Sequence, residues 1–130
     1  MSRLLADLGN TRCKLAIARR GLPHDVLAVA HDDHAAIAAY LAAHTVSEGT
    51  LLGSVASPGV TAAFVDQLEQ AAAGPVDEVR ATDPLPVTNG YRKPAQLGVD
   101  RLLAMVAACG EAPGPLCVVD AGTAVTVDLV

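Results

Sequence analysis

Two apolar runs joined by a tight polar turn open the chain, in LLADLGNTRCKLAIA from Leu4 to Ala18, and predict a β-hairpin. Asp25 to Ala30 adds a third strand after a turn at Arg19-Arg20-Gly21-Leu22-Pro23, which makes an antiparallel meander. The period then lengthens from two to three and four. In DHAAIAAYLAAH, Asp33 to His44, the residues Ile37, Tyr40 and Leu41 share one face of a helix capped by Asp32 or Asp33. Thr50 to Ser57 reads as a short buried strand closed by Ser57-Pro58-Gly59. Val60 to Ala73 follows as a second helix with Phe64, Val65, Leu68 and Ala72 inward, ending at Gly74-Pro75. Val76 to Ala81 is a marginal strand. Thr82 to Leu97 has no period, three prolines and Asn89-Gly90 at its middle, the pattern of a long loop. A third helix, Arg101 to Cys109, buries Leu102, Met105 and Val106 and stops at Gly110. Leu116 to Val130, LCVVDAGTAVTVDLV, is again strand, turn and strand. The order β-β-β-α-β-α-β-α, followed by a hairpin, predicts an α/β fold in which helices pack on a mixed sheet.

Composition narrows the class. With 130 residues, 52% of them hydrophobic and 18% charged, the chain is globular and long enough for one domain or slightly more. A net charge of −5 carries no electrostatic footprint for nucleic acid or an anionic membrane, so neither is expected as a partner. Cys13, Cys109 and Cys117 are odd in number, lack metal-ligand spacing and sit in apolar runs, which predicts buried thiols in a reducing cytoplasm. No apolar run reaches the roughly 18 residues of a membrane helix, and the N-terminus has no signal-peptide pattern. A soluble cytoplasmic protein is expected.

Candidate chemistry lies in three places. At the tip of the first hairpin, Gly9 and Asn10 let the chain reverse so that its N–H groups and the Thr11 hydroxyl point outward, a setting for an anion. Asp7 ends a strand of Leu4, Leu5 and Ala6; it is either a turn cap or a carboxylate that meets a cation, such as a hydrated metal. Lys14 adds positive charge two strand positions beyond Arg12. The second hairpin repeats this layout, with Asp120-Ala121-Gly122-Thr123 matching Asp7-Leu8-Gly9-Asn10. Between them, Asp100 in Gly98-Val99-Asp100-Arg101 is either a helix N-cap or a carboxylate placed to accept a hydroxyl proton, with Arg101 beside it for an organic carboxylate. Tyr91 is a rare aromatic in the long loop, and on these residues alone it packs the loop. His31-Asp32-Asp33-His34 is read as a helix start rather than a metal cluster. Asp128 alternates with Val127 and Leu129, a pattern compatible with the solvent side of the strand that assigns it no role.

Two such hairpins facing across a cleft resemble the phosphate cradle of the actin, heat-shock-protein-70 and sugar-kinase superfamily. More narrowly, Asp7-x-Gly9-Asn10-Thr11-x-x-Lys14, Gly98-Val99-Asp100-Arg101 and Asp120-Ala121-Gly122-Thr123-Ala124-x-Thr126-x-Asp128 resemble, in this order, three motifs of type III pantothenate kinase. That resemblance implies a ribonuclease-H-like domain and ATP-dependent phosphorylation of pantothenate, the first step toward coenzyme A. It implies that Asp7, Leu8, Gly9, Asn10, Thr11, Arg12, Cys13 and Lys14 form the first site for ATP, with Asp7 on Mg2+. Gly122 and Thr123 would form the second, and Asp120 would hold a monovalent cation, K+ or NH4+. Tyr91, Gly98, Val99, Asp100 and Arg101 would meet pantothenate, with Asp100 as catalytic base. The resemblance also implies a homodimer.

Members of that family carry a second domain, and this chain stops shortly after Asp128. Residues 1–114 are therefore expected to form the first domain and 115–130 the start of a truncated second, so the fragment alone is expected to be a poor or inactive kinase. Two other classes would use the same hairpins: a phosphohydrolase of the same superfamily, and a non-catalytic accessory regulatory protein. A hydrolase has no need of an Asp-Arg pair aimed at an organic acceptor. A retired site has no physical reason to keep its carboxylates together.

Overall fold

Cross-strand pairing of buried leucines sets the larger part of the molecule. The structure is a computed structural model that describes residues 1–71, 73–122 and 124–130. The chain forms two compact units, Met1–Val79 and Arg80–Val130.

In the first unit, β1 (Arg3–Leu8), β2 (Arg12–Arg19) and β3 (Leu22–Ala30) make the antiparallel meander. Strands β4 (Thr50–Ser54) and β5 (Val76–Val79) join in parallel, giving one mixed sheet of order β3-β2-β1-β4-β5. Register places Leu4 opposite Ile17, Ala6 opposite Leu15 and Leu8 opposite Cys13, so these six buried side chains line one face. Helices α1 (His34–Ala43) and α2 (Pro58–Gln70) add Ile37, Tyr40, Leu41, Phe64 and Leu68 to the same core, with Leu52 of β4. Asp7 and Lys14, one position out of phase, fall on the opposite face.

The boundaries depart from the sequence pattern for local reasons. Strand β3 starts at Leu22 rather than Asp25, because Arg20 and Gly21 both take positive φ (53° and 79°) and close a two-residue hairpin. Pro23 is tolerated because β3 is an edge strand. Ser57-Pro58 opens α2 instead of closing β4: Ser57 Oγ accepts from the Val60 N–H at 3.4 Å, and Pro58 takes the first helical position. Asp33 is the cap of α1, accepting from the Ala36 N–H at 3.1 Å. Ala72, expected inward on α2, lies outside the described residues.

In the second unit, a single 3-10 turn (Pro94–Gln96) leads into α3 (Val99–Glu111), and β6 (Cys117–Ala121) pairs antiparallel with β7 (Val125–Leu129). Leu97, Leu102 and Met105 form its core, with Leu85, Val87, Val118 and Val130 against them. Gly110 does not stop α3, which runs on to Glu111. The stop comes from Pro113, which forces Ala112 into an extended conformation (φ −142°, ψ 132°). A mixed five-stranded sheet and three helices give the α/β class expected, with α1 and α2 sharing the core of the sheet. No helix among the described residues is long and apolar enough to cross a membrane.

Candidate active site

The first hairpin turns through Gly9, Asn10 and Thr11, closed by the Gly9 N–H donating to the Arg12 carbonyl at 2.8 Å. Asp7 and Lys14 face each other in register, and Lys14 Nζ lies 3.5 Å from Asp7 Oδ2. Both are more than half exposed, so the pair is solvated and the carboxylate keeps lone pairs for another cation. Leu8 and Cys13 point into the core, so only their backbones can reach a ligand. Burial pushes the Cys13 thiol up, and the carboxylates of Asp7 and Asp33 add to it.

His31 braces this tip, a role the sequence reading missed. Its backbone N–H donates to the Thr11 carbonyl at 3.1 Å, and its ring Nε2 to the Asn10 carbonyl at 2.9 Å. Two carbonyls that would repel an anion are thereby occupied, while the N–H groups of Asn10 and Thr11 have no protein acceptor among the described residues. His34 and Gln67 bond to each other, and no group of three metal-ligating side chains exists among the described residues. A cavity of about 680 Å³ lies at the other end of β1 and β2, beside Arg3, Arg19 and Arg20, away from the hairpin tip.

The second unit gathers the acceptor-side candidates. Asp100 is not the N-cap; Gly98 holds that position and provides no side-chain bond. Asp100 instead sits in the first turn, its Oδ1 accepting from the Arg101 N–H at 2.8 Å, and it is exposed. That placement ties up one unpaired backbone donor and leaves the second carboxylate oxygen of this exposed side chain without a hydrogen-bond partner among the described residues. Val99 is buried and anchors the helix start. Asn89 organises the preceding loop: its Nδ2 donates to the carbonyls of Ala81 and Pro94, and its Oδ1 accepts from the Tyr91 N–H at 3.1 Å. Tyr91 is brought to Arg101, whose Nη1 donates to the Tyr91 hydroxyl at 3.3 Å, with the guanidinium 5.8 Å from the ring centre.

The structure decides the side that Asp128 takes. It is buried rather than solvent-facing, and Arg101 grips it with a forked pair, Nε to Oδ2 at 3.0 Å and Nη2 to Oδ1. This bond pushes the Arg101 guanidinium further up; burial opposes it and the Tyr91 hydroxyl adds to it. Asp120 is exposed near the end of β6, opposite Thr126. The Gly122 N–H is taken by the Ala124 carbonyl at 2.9 Å, and Thr123 lies outside the described residues. Cys109 and Cys117 are exposed, contrary to expectation, and only Cys13 is a core thiol. Their apolar neighbours in sequence lie on other sides of α3 and β6.

A family model described as type III pantothenate kinase matches residues 3–130. The chain belongs to the type III pantothenate kinase family. It is 38% identical to the type III pantothenate kinase of Halorhodospira halophila over 135 residues, covering 97% of this chain and 53% of the relative. Identity to the type III pantothenate kinase of Stenotrophomonas maltophilia strain K279a is 41% over 132 residues, with 99% and 53% covered. For that of Xanthomonas euvesicatoria it is 38% over 130 residues, with 99% and 52%. The chain thus spans about half the length of the curated relatives it matches. Every candidate of this type III pantothenate kinase family member lies within the matched span.

Proposed function

We propose that the native protein transfers the γ-phosphoryl group of ATP to the primary hydroxyl of pantothenate, giving 4'-phosphopantothenate. The observation that carries this reading is a cation and a phenol held together, Arg101 with Tyr91, next to the carboxylate of Asp100. An organic acid bearing a hydroxyl needs that pairing, and attack by water does not. Asp100, exposed and with one oxygen not engaged by the Arg101 N–H, accepts the hydroxyl proton as the bond to phosphorus forms. Arg101 and Tyr91 take the acceptor's carboxylate, and Gly98 leaves its helix N-terminus uncrowded.

The Asn10 and Thr11 N–H groups, the Thr11 hydroxyl and Lys14 hold phosphate oxygens. Asp7 suits Mg2+, which typically takes one or two carboxylates plus substrate phosphates, because it is exposed with lone pairs to spare. When bound, the ion neutralises charge on the phosphates. In this reading the meander and its two strand–helix–strand crossovers are a ribonuclease-H-like domain over residues 1–114. Residues 115–130, with β6 and β7, begin a second, where Gly122 and Thr123 meet ATP and Asp120 a monovalent cation. Homodimerisation belongs to the same reading.

The test is ADP release by the native protein with ATP, Mg2+ and K+, with and without pantothenate, and identification of the product. Pantothenate-dependent ADP with phosphopantothenate is the expected result. Phosphate released regardless of pantothenate would mark a hydrolase, and no release a binding protein.

A further inference from the structure

An arginine that recognises a carboxylate through a fork can do so only with N–H groups that point outward together. A guanidinium has five N–H donors in one plane. In Arg101 the side edge, Nε with Nη2, is spent on Asp128. A further Nη1 donor goes to the oxygen of Tyr91. What remains is one N–H on each terminal nitrogen and, beside them, the Tyr91 hydroxyl hydrogen, a set of donors suited to one planar anion.

The partner that fixes this arrangement is not on α3. Asp128 sits on β7 with a side chain 9% exposed, while Arg101 keeps a quarter of its surface exposed. One end of the pair is therefore in the core and the other at the surface. Resting on the kinase reading above, we infer that Asp128 is a positioning residue: it turns the free edge of Arg101, with Tyr91, toward the acceptor's carboxylate. An unheld arginine samples many rotamers, and each acceptor molecule would have to order it on binding. The forked bond does that ordering in advance, at the expense of part of the attraction that an uncompensated positive charge would exert. The two effects have opposite signs, so the direction of the change on removing Asp128 decides between them.

The experiment compares pantothenate with pantothenol, which has a hydroxymethyl group in place of the carboxylate, as acceptors for the native protein and for its Asp128→Asn, Asp128→Glu, Arg101→Ala and Asp128→Asn/Arg101→Ala variants. Asp128→Asn should raise KM for pantothenate about tenfold or more and leave KM for ATP within about twofold. The preference for pantothenate over pantothenol should shrink toward that of Arg101→Ala, and the double variant should lose little more than Arg101→Ala alone. Asp128→Glu, which keeps the carboxylate, should restore part of the preference. Equal losses on both acceptors, additive losses in the double variant, or a lower KM for pantothenate in Asp128→Asn would each overturn the inference. Should Asp128→Asn fail to fold, the Asp128→Glu preference and the nuclear magnetic resonance signal of the Arg101 Nε–H decide. A downfield, slowly exchanging Nε–H in the native protein supports the fork, and a freely exchanging one overturns it. Absence of any pantothenate-dependent turnover in the unsubstituted protein would strike the kinase reading itself, and the inference with it.

Discussion

Asp100 serves the helix with one oxygen, and in the proposed reaction the other is the base. Its Oδ1 satisfies the Arg101 N–H in the first turn, where negative charge is favoured by the helix dipole, and Oδ2 has no such duty. Asp100→Asn keeps the size and the acceptor on Oδ1 but cannot take a proton. Turnover should therefore fall by about 10²–10⁴-fold with ATP affinity unchanged. The check is single-turnover kinetics beside nucleotide binding; turnover within a few-fold of the unsubstituted protein would sink the base assignment. Cys13, by contrast, is 1% exposed and its side chain lies in the core.

At the scale of elements, the hairpin tip and the strand starts depend on close backbone approaches. Gly49 leads into β4 with φ +82°, and a Cβ there would lie 2.6 Å from the Pro75 carbonyl oxygen, at the start of β5. The same segment accepts the Leu4 N–H through the Gly49 carbonyl, so it ties three neighbouring strands. Gly21, in the β2–β3 turn, has a similar φ of +79° but nothing within 4 Å. Both substitutions to alanine strain the backbone, and only Gly49→Ala also forces two main-chain segments apart. Gly49→Ala is expected to destabilise by about 2–4 kcal/mol and Gly21→Ala by about 1 kcal/mol. Urea unfolding measures both, and equal effects would show that the close approach to Pro75 has slack.

At the scale of the molecule, proton linkage sets a stability window. The Cys13 thiol is pushed up by burial and by Asp7 and Asp33, and the Tyr40 phenol by burial and Asp25, with Arg19 opposing. Both lie in the first unit. Each group holds its proton more tightly when folded than when unfolded, so unfolding releases protons as pH rises. Their stabilising effect is complete at pH values well below the pKa of an unfolded thiol, roughly 8.5, and is lost progressively as pH rises through and above it. The urea midpoint of residues 1–79 should therefore fall from pH 8.5 to 10.5, and Cys13→Ala should flatten the lower part of that fall. A midpoint constant over this range would show that neither group is coupled to folding.

The pattern of apolar positions by itself determined the meander, both crossover helices and the polar tip with Asp7 and Lys14, because strand and helix periods are local properties of consecutive residues. The Asp-x-Gly repeats and the Asp100-Arg101 pair were legible for the same reason: neighbours in sequence stay neighbours in space. Partners distant in sequence were not legible. Alternation was compatible with Asp128 in solvent, yet Arg101, 27 residues earlier, draws it into the core by offering a fork that offsets the desolvation of its charge. His31 read as a helix start, and only the pairing of β2 with β3 brings its ring to the Asn10 carbonyl. Cys109 and Cys117 read as core residues, and their exposure follows from which sides of α3 and β6 have a neighbour to pack against. Tertiary structure decided these placements because burial and charge pairing depend on what other segments supply, which no window of the chain contains.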